Sequence, residues 1–313
     1  MAFKSAAATR RLLPTPPRFL NREFLSSSSK TLLHSRHRTH LIFGANTDVG
    51  KSIVSAGLAR VAASTPGISV NYIKPLQCGG SDESFVKKHR DSINCQTLFS
   101  WKTPASPHLA SRLENLPISD TEVISSLQSC LRKINDSING VGIEDKDDLR
   151  SVTIIETAGG VLSPASSSPL NKFTLGDSWG WSTQADLYAP MNIPVVFVGD
   201  GKLGGISVSL SSLEALWSRG YRVDALVFIE DVDRESNIKF GRENATAMLE
   251  HISKPSTFQL SKTRPEHFKL VHLPPIPKMQ AIPLHNWYER TEEDFLNLHD
   301  FLCRRWADTV FDA

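Results

Sequence analysis

Residues 39–52 read THLIFGANTDVGKS, and this stretch decides the fold. A strand-like apolar run ends at Gly44, a glycine-containing loop follows, and Lys51 opens a segment of helical periodicity that continues to about Ala63. A glycine-rich turn between a strand and a helix is the setting in which backbone N–H groups and a helix N-terminus bind polyphosphate. The stretch therefore predicts a phosphate-binding loop, although a chance glycine-rich turn is the alternative.

The side chains of this loop have separate predicted tasks. Lys51 would neutralise charge between the β- and γ-phosphates of a nucleotide, and the Ser52 hydroxyl would ligate Mg²⁺. The spacing departs from the common form, because five residues rather than four separate Gly44 from Gly50. The predicted nucleotide contacts of the loop are Gly44, Asn46, Thr47, Asp48, Val49, Gly50, Lys51 and Ser52.

Short β-branched runs alternate with helix-period segments along the rest of the chain. Further strands are predicted at 69–74, 151–156, 194–199, 223–229 and 268–273, and helices at 119–134, 207–219 and 292–306. Pro75 is expected to stop the second strand, and the polar stretch 77–116 has no regular pattern. The alternation predicts an α/β fold, a single-domain P-loop fold with a mostly parallel, doubly wound sheet flanked by helices.

Polar and glycine-rich residues cluster where the predicted strands end. Ligands of doubly wound sheets bind at the carboxyl ends of the strands. Glu156 ends one strand and precedes Gly159 and Gly160, so its carboxylate could reach Mg²⁺ beside the phosphate loop, or it could simply cap the next turn. Lys74 ends another strand and could bring a second ammonium, although such a lysine is often only solvated. We expect these strand ends to form one site.

Charge is distributed unevenly between the start of the chain and its body. Residues 1–39 carry eight Lys or Arg and one Glu, a charge of +7, so the remainder carries −5. An acid-poor, Arg-rich and Ser-rich leader predicts a disordered transit peptide over residues 1–38, directed to the mitochondrion because arginine dominates. A basic tail or a nucleic-acid arm is the alternative. The domain is then expected over 39–283, with a polar stretch and a C-terminal helix over 284–313.

Composition and spacing exclude several classes of protein. The chain of 313 residues is 40% hydrophobic and 22% charged, which supports a buried core. No run approaches 18 consecutive apolar residues, so no membrane helix is expected. The body lacks a basic stripe interleaved with aromatic residues, so nucleic acid is not an expected partner. The four cysteines lie far apart without CxxC spacing, which argues against a disulfide framework or a zinc site.

Several motifs, taken in order, resemble those of dethiobiotin synthetases. Residues 44–52 are similar to the longer phosphate loop of that family, and YIKPLQCG at 72–79 is similar to its second-strand segment. Further matching segments are SPH at 106–108, ETAGG at 156–160, VGDGKLGGIS at 198–207 and PPIP at 274–277. The sequence of residues 198–207 especially resembles the N-terminal half of the mitochondrial bifunctional enzymes that also contain a diaminopelargonic acid aminotransferase.

The resemblance implies an ATP- and Mg²⁺-dependent ring closure in biotin biosynthesis. 7,8-Diaminononanoate would take up CO₂ (or bicarbonate) as a carbamate, ATP would phosphorylate the carbamate, and the second amine would displace phosphate to close the ureido ring. A homodimer is also implied. An aminotransferase domain or partner is implied by the bifunctional relatives, and residues 284–313 would then be a linker to it.

The resemblance also implies roles for individual residues. The catalytic residues would be Lys51, Lys74, Thr47 and Asp48. The metal ligands would be Ser52, Asp82 and Glu156. Beyond the loop, the nucleotide contacts would be Glu230, Pro274, Pro275, Ile276 and Pro277. The substrate contacts would be Lys74, Cys78, Gly159, Gly160, Gly204, Gly205 and Ser207, the last three at a helix N-terminus. Cys78 replaces the usual Ser or Thr and so lacks a good hydroxyl donor. Glu230 replaces an adenine-reading Asn, so the nucleotide preference stays open.

Three other functions compete with the synthetase. One is another amidoligase or kinase of the same superfamily. A second is a non-synthetic ATPase switch like the chromosome-partitioning ATPases, which carry an extra lysine where this chain has Ala45 and Asn46. A third is a catalytically weakened scaffold for an aminotransferase, motivated by Cys78 and by Asp48, which stands where the family usually has Glu. A GTPase is disfavoured because no Asn-Lys-x-Asp follows a late strand.

Overall fold

The computed structural model describes residues 37–139, 151–169, 179–231, 239–253, 268–277 and 283–310. The strands are β1 (His37–Gly44), β2 (Ser69–Cys78), β3 (Asn94–Trp101), β4 (Ser151–Glu156), β5 (Pro164–Pro169), β6 (Trp179–Thr183), β7 (Val195–Val198), β8 (Val223–Ile229) and β9 (Lys269–Leu273). The helices are α1 (Lys51–Ala62), α2 (Asp82–His89), α3 (Pro107–Leu113), α4 (Asp120–Asn139), α5 (Gln184–Tyr188), α6 (Gly205–Ser218), α7 (Phe240–Ser253), α8 (Leu284–Arg290) and α9 (Glu292–Val310), with a 3₁₀ turn at Ala189–Met191.

Seven of these strands form one parallel sheet in the order β3-β2-β4-β1-β7-β8-β9. The central strand β1 is buried along its whole length, and its side chains alternate between two apolar clusters. Leu41 and Phe43 face the cluster that includes α4, α6 and α7, whereas Ile42 faces the cluster that includes α1, α8 and α9. The predicted α/β fold with a mostly parallel, doubly wound sheet is confirmed, and the short β5–β6 pair is antiparallel.

Strand β1 begins two residues before its predicted start. His37 is buried, and its ring nitrogens lie 2.6 Å from Thr153 Oγ1 and 2.7 Å from Asn135 Oδ1. The predicted domain boundary after residue 38 is therefore two residues too late, because His37 and Arg38 are polar and carry no apolar strand signal. The remainder of the predicted transit peptide, residues 1–36, lies outside the described residues.

Strand β2 does not stop at Pro75, as the sequence predicted, but continues to Cys78. On one side, β4 pairs with β2 only as far as Ile73. On the other side, β3 remains paired beyond it, and the register passes from Lys74 to Leu76 without using Pro75. Proline has no N–H to donate, so it is tolerated where the ladder does not need that donor.

The stretch 77–116, expected to be irregular, contains α2, β3 and α3. Strand β3 is an edge strand whose side chains are mostly half-buried or exposed, so it shows no continuous apolar run. Helix α2 does have a local signal, because the Ser81 hydroxyl caps it by accepting from the Ser84 N–H at 3.1 Å. This helix places Asp82 at its first turn, close to the carboxyl end of β2.

The C-terminal segment is part of the core in its described portion. Helices α8 and α9 pack on the same face of the sheet as α1, and their residues Trp287, Tyr288, Phe295 and Leu298 are buried. The prediction that 284–313 forms a linker outside the domain is therefore wrong for this part, because the apolar face of the amphipathic helix is covered. Among the helices that the structure describes, none combines the length and apolar character needed to cross a bilayer.

Candidate active site

The loop between β1 and α1 is a tight turn. Asp48 and Gly50 have φ angles of 59° and 97°, both in the left-handed region. The φ angle of Gly50 favours glycine, and a Cβ atom there would also lie 2.4 Å from Ile229 Cδ1, so the end of that side chain would have to shift. The Lys51 Nζ donates to the Asn46 carbonyl at 3.0 Å, which folds the ammonium back over the loop. The Lys51 side chain therefore lies over the predicted phosphate loop.

Four of the predicted site residues meet beside this loop. Lys74 Nζ lies 2.7 Å from Asp82 Oδ2 and 2.9 Å from Glu156 Oε1. Ser52 Oγ lies 2.8 Å from Glu156 Oε1 and 3.3 Å from Asp82 Oδ1. The structure therefore brings together the three predicted metal ligands and the second predicted lysine, which come from β2, β4, α1 and α2.

Burial and opposite charges act against each other in this cluster. The buried setting of Glu156 would raise the pKa of its carboxyl, but the adjacent Lys74 ammonium, together with hydrogen bonds from Lys74 and Ser52, holds that pKa below its usual value. In the same way burial would lower the pKa of Lys74, but the carboxylates of Glu156 and Asp82 raise it. The pair is therefore ionised at neutral pH.

Lys51 has a different electrostatic environment. Burial, reinforced by the nearby ammonium of Lys74, lowers the pKa of Lys51 to about 8. At neutral pH the group is still mostly protonated, and the carboxylates of Glu156, Asp82 and Asp48 offset the lowering only in part. A phosphate group in the loop would supply the missing negative charge and favour the ammonium form. The site is thus prepared for an anion.

The donor set of the cluster suits Mg²⁺. Ser52, Asp82 and Glu156 offer only oxygen atoms, which are the ligands that this hard cation prefers. Within the described ranges no group of three or more His, Cys, Asp or Glu side chains could hold a metal ion by itself. A metal here would need further oxygens from phosphate or water, which is the usual manner of Mg²⁺ binding.

Tyr72 is a member of the site that the sequence analysis missed. Its buried hydroxyl donates to Glu156 Oε2 at 3.0 Å, and burial together with the Glu156 charge raises its pKa, so it stays a donor. The signal was present in the sequence, because residues two apart on a strand share a face, and Tyr72 precedes Lys74 by two. Tyr72 and Lys74 therefore hold the two oxygens of Glu156 from the same strand.

The predicted substrate residues Gly159 and Gly160 lie against the phosphate loop. Gly159 has a φ angle of 68°, and the Gly160 N–H donates to Ser163 Oγ at 2.8 Å. A Cβ atom at Gly160 would come within 2.9 Å of the Ala45 carbonyl, and one at Gly159 would lie 3.8 Å from Thr47 Oγ1. The exposed Thr47 is therefore next to the glycine turn that follows Glu156.

The other predicted substrate residues lie at neighbouring strand ends. Gly204, with a φ angle of 86°, precedes α6, and the exposed Ser207 lies in the first turn of that helix. Gly205 has no room for a side chain, because a Cβ atom would lie 2.0 Å from the Asp200 carbonyl. Cys78 ends β2, and burial raises the pKa of its thiol to about 12 against the opposing Lys74 ammonium, so the thiol is neutral.

Glu230, a predicted nucleotide contact, is engaged within the protein. Its Oε1 atom accepts from the Gly241 N–H at 2.8 Å, and its Oε2 atom lies 2.8 Å from His272 Nε2. The carboxylate is buried and connects the start of α7 with β9. Glu230 therefore links α7 to β9, a structural role that the sequence did not predict.

The predicted nucleotide segment 274–277 follows β9. Pro274, Pro275 and Ile276 are exposed, and Pro277 is half-buried. The carbonyl oxygens of Pro274 and Pro275 both accept from Trp287 Nε1, at 3.3 and 3.1 Å. The segment is thus fixed by its backbone, and its side chains remain accessible at the carboxyl edge of the sheet.

Comparison with known proteins gives a consistent set of relatives. A family model described as an AAA domain matches residues 38–280. The mitochondrial bifunctional dethiobiotin synthetase/7,8-diamino-pelargonic acid aminotransferase of Arabidopsis thaliana is 29% identical over 88% of this chain and 36% of its own length. The ATP-dependent dethiobiotin synthetase of Rhodopseudomonas palustris is 32% identical over 63% of this chain and 78% of its own length. The corresponding protein of Agrobacterium fabrum is 27% identical over 76% of this chain and 97% of its own. The chain thus spans about a third of the plant relative and most of the bacterial ones.

Proposed function

Because this chain belongs to the dethiobiotin synthetase family of AAA-domain proteins, we propose that it closes the ureido ring of dethiobiotin from 7,8-diaminononanoate, CO₂ and ATP. The observation that carries the proposal is the cluster of Lys74, Asp82, Glu156 and Ser52 beside the phosphate loop. It combines two carboxylates, a hydroxyl and a buried ammonium at the carboxyl edge of the sheet, where this reaction needs a metal and cationic groups.

Nucleotide binding is assigned to the loop and the segments around it. The backbone N–H groups of residues 44–52 and the N-terminus of α1 would hold the phosphates, with Lys51 across them. The metal ligands would be Ser52, Asp82 and Glu156. When bound there, Mg²⁺ would neutralise charge on the phosphate oxygens. The exposed side chains of residues 274–276 would border the base of the nucleotide, next to the half-buried Pro277.

The chemistry that we assign to the site proceeds in three bond-forming steps. One amine of the substrate attacks CO₂ and loses a proton, which gives a carbamate. A carbamate oxygen attacks the γ-phosphorus of ATP, and the bond to the bridging oxygen breaks to release ADP. The second amine then attacks the carbamate carbon and loses a proton, and the carbon–oxygen bond to phosphate breaks, so inorganic phosphate leaves and the ring is closed.

The residues of this chain would act on the charges that these steps create. Negative charge develops on carbamate and phosphoryl oxygens, and preorganised cations stabilise it most effectively in a site of low dielectric. Lys51 and Lys74 are both buried and both adjacent to the loop. Thr47 and Asp48 are exposed on the loop, and Thr47 lies beside the 159–160 turn; both would approach the amine from the loop.

The carboxylate of the substrate is assigned to the start of α6, and a homodimer is proposed around it. The N-terminus of a helix favours an anion, and Gly204, Gly205 and Ser207 leave that end open. Leu203 is 81% exposed and Val208 is also exposed on the same turn. Apolar side chains beside a polar ligand site support cover by a second copy of the chain.

An aminotransferase partner and a mitochondrial location are further parts of the proposal. They are supported by relatives whose names join the synthetase to an aminotransferase, two of them described as mitochondrial. The basic leader of the sequence is in keeping with the location.

The proposal is tested by incubating the purified chain with 7,8-diaminononanoate, bicarbonate and Mg-ATP, and measuring dethiobiotin by mass and ADP by chromatography. We expect one ADP for each ring closed and no ADP without the diamine. ADP release that does not depend on the diamine would contradict the synthetase and favour an ATPase switch.

A further inference from the structure

Two adjacent aromatic residues of α8 contact three segments of the candidate nucleotide site. Trp287 and Tyr288 lie beyond residue 280, where the match to the family model ends. Both are almost fully buried, at 4% and 1% exposure. The Tyr288 hydroxyl donates to the carbonyl of Ile53 at 3.0 Å. Ile53 directly follows Ser52, so this bond is made to the first turn of the phosphate-binding helix.

The ring of Tyr288 also reaches the helix that carries Asp82. It packs edge-on against the ring of His89, with 4.8 Å between centroids, and His89 packs against Phe85 at 4.9 Å. Both residues belong to α2, whose first residue is Asp82. A single side chain therefore contacts the two helices that supply Ser52 and Asp82 to the metal cluster.

Trp287 holds the third segment. Its indole N–H is shared between the carbonyls of Pro275 and Pro274, at 3.1 and 3.3 Å. These bonds fix the backbone at the start of segment 274–277. The rings of Trp287 and Tyr288 both contact Phe295, at 6.2 and 6.1 Å between centroids.

Phe295 packs directly onto the phosphate-binding helix at Gly57. A Cβ atom at Gly57 would lie 2.3 Å from Phe295 Cζ, so the ring rests on the helix backbone itself. Thr291 and Phe295 are both buried and continue the contact from α8 into α9. The C-terminal helices therefore leave little freedom for α1 to shift.

We propose that Trp287 and Tyr288 are positioning residues that hold α1, α2 and the 274–277 segment in the arrangement that binds Mg-ATP. This inference rests on the proposed function, because it assigns the two residues to that same nucleotide site. Neither side chain touches the reacting groups, and each acts through the backbone or helix that it holds. The physical reason is that charge-stabilising groups lose much of their effect when misplaced by about 1 Å.

The test uses conservative variants that remove the hydrogen bonds and leave a phenyl ring at each position, which keeps the ring of Tyr288 and puts a smaller ring in place of the Trp287 indole. Tyr288→Phe deletes the bond to Ile53, and Trp287→Phe deletes the bonds to Pro274 and Pro275. Tyr221→Phe is the matched control, because Tyr221 is equally buried and its hydroxyl donates to the Ala185 carbonyl at 2.7 Å, away from these three segments. The dissociation constant of Mg-ATP is measured by calorimetry, and the unfolding midpoint by urea denaturation.

We expect Tyr288→Phe and Trp287→Phe to raise the dissociation constant of Mg-ATP about three- to tenfold, the weight of one hydrogen bond. We expect Tyr221→Phe to change it less than about twofold at a similar loss of stability. Equal effects in all three variants, or unchanged binding in the first two, would overturn the inference while leaving the proposed function in place. If the unaltered chain bound no Mg-ATP, the proposed function would fail and the inference with it.

Discussion

The Nζ atom of Lys74 lies 2.9 Å from Oε1 of Glu156, inside the sheet edge that borders the phosphate loop. Lys74 lies on β2 and Glu156 on β4, and each directly follows the last residue pair between these two strands, Ile73 and Ile155. Removing two charges from water is costly, and a buried ion pair adds little net stability compared with apolar side chains. Under the proposed function, the position of this pair serves the reaction rather than the stability of the fold.

Lys51→Ala should nearly abolish turnover and leave the fold intact. Lys51 is the cation folded over the phosphate loop, and removing one preorganised charge-stabilising group costs about 10²–10³ in rate. The kcat for dethiobiotin formation is the measurement, with circular dichroism as the check on folding. Lys88→Ala, which removes an exposed lysine of α2, should keep full activity. A loss of tenfold or less in Lys51→Ala would count against the role.

Glu156→Gln and Asp82→Asn should both raise the Mg²⁺ concentration needed for half-maximal activity, because each removes a charged oxygen from the metal cluster. They should differ in stability. Glu156 is fully buried against Lys74, so its loss should cost about 3 kcal/mol, whereas Asp82 is partly exposed and should cost less.

The Mg²⁺ dependence of both variants is measured from their activity at a series of Mg²⁺ concentrations. Their stability is measured by urea denaturation of the same samples. Unchanged Mg²⁺ dependence in both variants would contradict the assignment of the metal ligands.

A second buried carboxylate should give the fold a dependence on acid pH. Asp224 is fully buried, and its Oδ1 atom lies 2.9 Å from Arg222 Nε, while its Oδ2 atom lies 3.5 Å from His40 Nε2. Burial opposes ionisation, but His40 and Arg222 lower the pKa of Asp224 below its usual value. The stabilisation is therefore complete above the unfolded pKa of about 3.9 and is lost as pH falls through the lower folded value.

Asp224→Asn tests this dependence. We expect the variant to be about 2 kcal/mol less stable than the unaltered chain between pH 5 and 7, with the difference shrinking below about pH 4. Urea denaturation at pH 7, 5, 4 and 3 measures the free energy of unfolding of both chains. A difference that stays constant down to pH 3 would show that ionised Asp224 contributes nothing.

Removal of residues 1–36 should leave the melting temperature and kcat unchanged and move a fluorescent fusion from the mitochondrion to the cytosol. The charge of the first residues predicts targeting, and the described core begins at His37. Removal of residues 1–38 is the sharp comparison, because it also deletes the contacts of His37 with Thr153 and Asn135 and should cost about 1–2 kcal/mol. A cytosolic full-length fusion would refute the targeting role.

The part of the fold that the sequence could predict is the part with local, repeated signals. Strands β1, β4, β7 and β8 are fully buried and each contains a short apolar run, and the capping box of Ser119 and Glu122 marks the start of α4. Strand β3 was missed because an edge strand lacks a continuous apolar run, and β5 and β6 are rich in Ser, Pro and Trp rather than β-branched residues.

The site shows the same division between local and long-range information. Lys51 and Ser52 are marked by their position at the start of a helix and Glu156 by its position at the end of a strand, whereas Lys74 was found from a predicted strand end although β2 continues to Cys78. Asp82 was identified only through the family motif, since its helix had not been predicted. The bond between Tyr288 and Ile53 joins residues more than 200 positions apart in the sequence, and no local pattern encodes it.

The most direct test of the account follows oxygen from CO₂ in the presence of 7,8-diaminononanoate and Mg-ATP. If the carbamate is phosphorylated and then closed by the second amine, C¹⁸O₂ should place one ¹⁸O in the ureido carbonyl and one in the inorganic phosphate for each dethiobiotin formed. Mass spectrometry of both products measures the label. We expect equal labelling of dethiobiotin and phosphate. Unlabelled phosphate would contradict phosphorylation of the carbamate.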